Sequence, residues 1–292
     1  HALSLVKTGS GIQTLTGSSS HSGTTAINQG TLFVNNQLGN SAVTVASSGT
    51  LAGTGSAAGT VTASGTIAPG ASGTSAGTLA TGAAALTGIY VCQIDGATAD
   101  RWNITGNLNV TGATLAVSEI RTATFTSAVI AKYSGTLTGT FTVSPALPFG
   151  IAVQYDATAK EIRLVSNFNS WTGSHTFAAG SDTSPSGDPD GDGMTNRREY
   201  AFGLDPTSGT SHNPIPVPLA KDNASFTYTR RKPSLTGLAY KIWTSPDLVE
   251  WTVDTGATQS PVDQGDNQTV HVLLGSPGPF ANGNLFVRVS AD

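Results

Sequence analysis

Residues 188–199 read Asp-Pro-Asp-Gly-Asp-Gly-Met-Thr-Asn-Arg-Arg-Glu, a spacing that could hold a hard divalent cation. Asp188, Asp190 and Asp192 occupy positions 1, 3 and 5 of a twelve-residue calcium loop. Gly193 stands at position 6, where the chain turns sharply and needs positive φ. Met194 would supply its backbone carbonyl at position 7, Asn196 a side-chain oxygen at position 9, and Glu199 a bidentate carboxylate at position 12. Ca²⁺ takes six to eight oxygen ligands. Three acids within five residues repel one another unless a cation lies among them. The metal-ligating set is therefore Asp188, Asp190, Asp192, Met194, Asn196 and Glu199, with Ca²⁺ as the expected ion and a structural staple as its expected role.

Other constellations are weaker. His1 with a second histidine could hold copper, but Ala2 to Leu5 reads as a strand leading into a repeat. Asp95, Asp100 and Arg101 form the one charged cluster in the middle of the first half, and a loop between strands accounts for them. No Gly-x-Ser-x-Gly elbow accompanies the serines and histidines. Trp243, Trp251, Tyr228 and Tyr240 could form a sugar-stacking face or, more simply, a core. No catalytic residue is assigned, and the chain is read as a non-enzyme.

The elements that must position the loop follow from an uneven composition. Only 11% of the 292 residues are charged, and the net charge is −4. Lys7 is the single charged side chain before Asp95. This gives no basic footprint for nucleic acid. No apolar run is long enough to span a bilayer, and no secretion signal is read within the chain. One cysteine, Cys92, excludes an internal disulfide and a cysteine zinc site.

Residues 3–165 read as short strands cut by Gly and Asn, such as 31–34, 42–45, 59–61, 65–67, 77–79, 107–110 and 113–117. Apolar residues alternate with Thr or Ser, and Thr suits a pleated surface. Strands this short need stacking, each turn on the next. Residues 151–156 and 161–165 read as a closing hairpin. Residues 166–187 read as a linker, although Phe168, Trp171 and Phe177 call for packing. A short helix over 195–202 should leave the loop and stop at Gly203. Strands near 225–229, 239–244, 269–274 and 285–289 suggest a small antiparallel β-sandwich. The expected domains are 1–165, 166–211 and 212–292.

Residues 5–17 and 21–36 resemble the autotransporter-associated β-strand repeat of bacterial secreted and surface proteins. The resemblance implies a right-handed parallel β-helix and a secreted, extracellular or cell-surface location. It departs from that family in one respect, because no membrane β-barrel is read after the repeats. Asp188 to Pro206 is similar to the calcium repeats of dockerins and thrombospondin type 3 segments. A single copy argues against a dockerin's cohesin binding. The stretch 240–251 resembles C-terminal domains of large secreted bacterial proteins.

The expected fold is thus all-β: a parallel β-helix, a calcium-loop linker and a β-sandwich. The unpaired end of a stacked sheet invites another chain. Ala2, Leu3, Ser4, Leu5 and Val6 form an apolar edge there, so self-assembly is expected through a head-to-tail contact, giving a filament or surface layer. The alternatives are a monomeric adhesin that binds surface glycans and a polysaccharide-active enzyme.

Overall fold

Thr and small aliphatics at alternating positions leave one face of each strand apolar, and the strands bury that face by stacking in parallel. The computed structural model describes residues 3–70, 74–220, 222–275 and 284–292. The chain is all-β, with 48% strand and 6% helix. It divides into two compact units, 1–166 and 167–292.

The first unit is dominated by a large parallel sheet, which curves into a half-barrel. Strand pairing in the unit follows three parallel ladders, two in this sheet and the third in a separate six-stranded sheet. In one, Leu5 pairs with Thr25, which pairs with Val43, and the ladder continues through Val61, Ala84 and Leu108 to Leu137. In the second, Ile12 leads through Thr31, Thr50, Thr66, Ile89 and Thr114 to Thr142. The third runs from Ser56 through Ala80 and Asn103 to Lys132. The chain visits the three ladders in turn and returns to the first.

Two of the expected short strands are longer than their glycines suggested. Thr25–Val34 and Val43–Gly53 each run unbroken through a corner and contribute to two ladders. A register shift between Ile27 and Gln29 absorbs the bend. Inward columns are filled by buried apolar side chains such as Ile27, Val45, Ala63 and Leu86, or Leu32, Leu51, Ile67, the Tyr90 ring and Leu115. Burying each Val, Leu or Ile among them contributes about 1.5–3 kcal/mol. Strand Ile151–Asp156 pairs antiparallel with Glu161–Ser166, and the latter covers the last strand of the third ladder. This is the hairpin read from the sequence.

At the opposite end, strands Leu5–Lys7 and Ile12–Leu15 pair only with Thr25–Val34 among the described residues. Lys7 and Gln13 stand in the columns that Ile27 and Leu32 continue. The Lys7 ammonium donates to the carbonyls of Thr8, Gly9 and Gln29, at 3.0, 2.7 and 3.0 Å.

The second unit holds two antiparallel sheets. One comprises Val217–Ala220, Ser225–Arg231, Asn267–Leu273 and Thr258–Gln264; the other comprises Thr252–Val253, Tyr240–Ser245 and Phe286–Ala291. The segment read as a linker lies inside this unit. Its helix Asn167–Thr172 buries Phe168 and Trp171. Both rings pack on Tyr200 at centroid distances of 5.4 and 5.3 Å. The low hydropathy of 166–187 concealed this, because two aromatics carry the packing.

Candidate metal centre

The loop at 188–195 is organised by its own acids. Asp188 accepts the N–H of Gly191 at 2.9 Å through Oδ1 and that of Gly193 at 3.0 Å through Oδ2. Asp192 Oδ1 accepts the Met194 N–H at 2.7 Å, and Asp190 Oδ1 the Asp192 N–H at 3.4 Å. The last two are Asx turns, which Asp forms readily. Gly193 has φ +88°, as position 6 requires. One oxygen from each of Asp188, Asp190 and Asp192 lies within 4.8 Å of the others.

The helix that follows, Asn196–Phe202, ends at Gly203 in the left-handed region, with its N–H on the Glu199 carbonyl. Asn196 and Glu199 are three apart and share a face. Tyr200 and Phe202, which flank that face and are also buried, anchor the helix. Tyr200 lies under the Arg231 guanidinium at 4.9 Å, its hydroxyl donates to Leu235 O at 3.0 Å, and Phe202 packs on Tyr240.

Glu199 is completely buried, and neither of its oxygens has a hydrogen-bond partner among the described residues. Asp190 Oδ2, Asp192 Oδ2 and Asn196 Oδ1 share that condition. Unsatisfied buried acceptors are costly and uncommon. Burial, and then the charges of Asp190, Asp192, Asp188 and Asp205, push the Glu199 carboxyl up to about 8. Burial raises Asp190 as well, followed by the charge of Asp192. Five unpartnered oxygens in one acidic loop want a cation, and the donor set fits a hard one.

Asn196 does more than its position in the loop suggested. Its Nδ2 donates to the carbonyls of Asp182 at 3.0 Å and Ser184 at 2.9 Å, so its orientation is fixed and Oδ1 is the atom left bare. Its backbone N–H reaches Gly187 O at 2.8 Å. The helix start thereby clamps 182–187 against the loop. Sequence spacing identified the acceptor role only; the two carbonyls lie in a stretch whose composition carries no signal.

The other candidates do not converge on a site. Asp95 pairs with Arg121 at 2.5 Å, and that contact holds its carboxyl below the usual range. Asp100 is buried and accepts the N–H groups of Gly77 at 2.8 Å and Gln93 at 3.0 Å. Arg101 turns to Asn103. Tyr228 and Tyr240 are core residues. Trp243 and Trp251 both face Arg288, whose guanidinium carbon is 5.0 and 4.5 Å from their ring centroids. The guanidinium covers one face of each indole. His1 and Ala2 fall outside the described residues. Leu3 and Ser4 precede the edge strand, and Leu3 and Val6 are 71% and 57% exposed.

Residues 5–34 match the family model described as the passenger-associated-transport-repeat. The match spans the edge strands Leu5–Lys7 and Ile12–Leu15 and the first long strand, Thr25–Val34. No curated protein matches the chain. The repeat points to a secreted bacterial β-repeat protein. No helix among the described residues is long and apolar enough to cross a membrane.

Proposed function

We propose that the chain is an extracellular structural protein, a right-handed parallel β-helix followed by a β-sandwich unit that carries a calcium-stapled loop, whose subunits join head to tail into a filament or surface layer. The observation behind this is the open parallel edge at Leu5–Lys7 and Ile12–Leu15. That edge exposes Val6 and Ile12, the latter by 67%, and a strand added there would extend the existing ladders. The strands Leu137–Thr138 and Thr142–Val143 end the first two ladders at the far end. A neighbour's strands of that kind would continue the parallel register. Such a contact is heterologous and therefore propagates.

Calcium has a structural role in this reading. Asp188, Asp190, Asp192, Asn196 and Glu199 would hold the ion, with the Met194 carbonyl. The ion supplies positive charge among carboxylates that otherwise repel. It would fix helix Asn196–Phe202, and through Asn196 the 182–187 segment, without taking part in any reaction. The reading is non-catalytic, and the Arg288 stack on Trp243 and Trp251 gives glycan binding no support.

Negative-stain electron microscopy of the full chain, in calcium and in chelator, tests the assembly. Filaments are expected in calcium; discrete monomers at every concentration would overturn it. Elemental analysis and melting with and without chelator test the ion separately, and an unchanged melt with no bound metal would exclude it.

A further inference from the structure

Four side chains near the open edge form a hydrogen-bonded chain whose proton positions are fixed by one carbonyl. The Ser41 Oγ lies 2.6 Å from Gly23 O, and a carbonyl only accepts, so Ser41 donates. Its remaining lone pair then takes the Thr25 hydroxyl proton at 2.9 Å. With that proton spent, Thr25 Oγ1 accepts from His21 Nε2 at 3.0 Å. The neutral imidazole therefore carries its proton on Nε2. Its bare Nδ1 faces Ser19 Oγ at 2.7 Å, within range for taking a proton.

The fold supplies the rigidity. Thr25 stands in the inward column that Val43, Val61, Ala84 and Leu108 continue. A hydroxyl there is out of place among aliphatics, and both Thr25 and Ser41 are completely buried. Ser19 and His21 are half-buried at the rim of a groove of about 440 Å³, which Leu3, Leu5, Thr14 and Leu15 also line. A hydroxyl facing an imidazole base, with a third group orienting the base, is the arrangement of an activated nucleophile.

We propose that Ser19 is an acyl-acceptor site, modified by activated carboxylic esters whose acyl part is small and apolar, with His21 as general base and Thr25 as a positioning residue. The Ser19 Oγ lone pair attacks the ester carbonyl carbon while its proton passes to His21 Nδ1. The bond from that carbon to the leaving oxygen breaks with its electron pair, and the leaving oxygen takes the proton back from Nδ1. The products are a seryl ester and the free alcohol or phenol. The Nε2–H bond to Thr25 is kept throughout, so the ring need not turn. Leu3, Leu5 and Leu15 give the acyl chain an apolar wall. This chemistry is independent of the assembly reading, although a subunit docked on the edge would cover the groove.

The test treats the monomeric fraction of the full chain with 4-nitrophenyl butyrate and, separately, a fluorophosphonate probe. A stoichiometric release of nitrophenolate is expected, with the adduct mapped to Ser19 by mass spectrometry. Ser19→Ala should abolish the adduct, and His21→Gln should slow it at least tenfold. Thr25→Val should slow it several-fold, with Thr25→Ser restoring the rate, which a purely packing role for Thr25 would not produce. A long-range proton–nitrogen NMR spectrum of the wild-type chain should report the Nε2–H tautomer, whether or not the variants fold. No adduct, adducts undiminished in Ser19→Ala, an unchanged rate in folded His21→Gln, or the Nδ1–H tautomer would each overturn the proposal.

Discussion

Glu199 is fully buried within electrostatic reach of Asp190, and Glu199 has no hydrogen-bond donor on either oxygen among the described residues. Two carboxyls placed in this way conflict without a cation and cooperate with one. Glu199→Gln should separate the two states. Without metal, the neutral amide relieves the repulsion from Asp190, Asp192 and Asp188, so the variant should melt at or above the metal-free wild type. With calcium, the wild type should gain several degrees and the variant little, since a bidentate ligand is gone. Calorimetry of both chains in calcium and in chelator checks this, and an equal calcium response would remove Glu199 from the site.

Asn196 carries the second prediction. Its Nδ2 bonds to Asp182 O and Ser184 O contribute about 1 kcal/mol each when formed. Asn196→Ala should therefore destabilise the second unit by roughly 2 kcal/mol. It should also release 182–187 to proteases even at saturating calcium. Limited proteolysis followed by mass spectrometry reads this directly. Cleavage within 182–187 at the wild-type rate would show that the clamp lies elsewhere.

The acidic turn with its left-handed Gly193, the exit helix with its Gly203 stop, and the hairpin of 151–156 with 161–165 were all legible in the sequence because each depends on neighbours within about a dozen residues. The parallel ladders were legible only as a need for stacking. Their register depends on partners such as Thr25 and Val43, which local pattern does not pair. The segment 166–187 looked like a linker because Phe168 and Trp171 find their partner, Tyr200, some thirty residues on. Asp100 stood out as part of a charged cluster, but its partners did not, since they are backbone N–H groups of Gly77 and Gln93.

Asp100 gives a pH prediction for the first unit. Burial pushes its carboxyl up from 3.8 to about 6, against the pull of the Gly77 and Gln93 N–H groups. The folded state thus keeps a proton that the unfolded chain has already lost. By linkage, this group's contribution is greatest below about pH 3.8 and falls as the pH rises to about 6. Each pKa unit corresponds to about 1.4 kcal/mol, and solvent screening reduces the expected change to roughly 1–2 kcal/mol. Asp95 and Glu161, held low by Arg121 and Lys132, act in the opposite sense, so the comparison must be differential. Urea denaturation of the wild type and Asp100→Asn from pH 3.5 to 7 should show a gap that changes across this window and is flat above it. A gap independent of pH would exclude Asp100 as the source.

Lys7 offers the last test, at the open edge. It occupies the inward column of Ile27, Val45, Ala63 and Leu86, yet its ammonium is satisfied by the carbonyls of Thr8 and Gly9 in its own turn and of Gln29 on the neighbouring strand. Inward-pointing charge is one way proteins blunt a sheet edge. A docking subunit must cover that ammonium with no counter-charge opposite it, which limits how tightly two ends can join. Lys7→Leu would extend the apolar column to the outermost turn and remove the restraint. Its onset of assembly, followed by light scattering, should come at a concentration at least tenfold lower than for the wild type, while Lys7→Glu should place a charge in the same column and suppress assembly. If all three chains remain monomeric across the range, the open edge is not an assembly surface, and Lys7 serves only to tie its turn to the Gln29 carbonyl of the neighbouring strand.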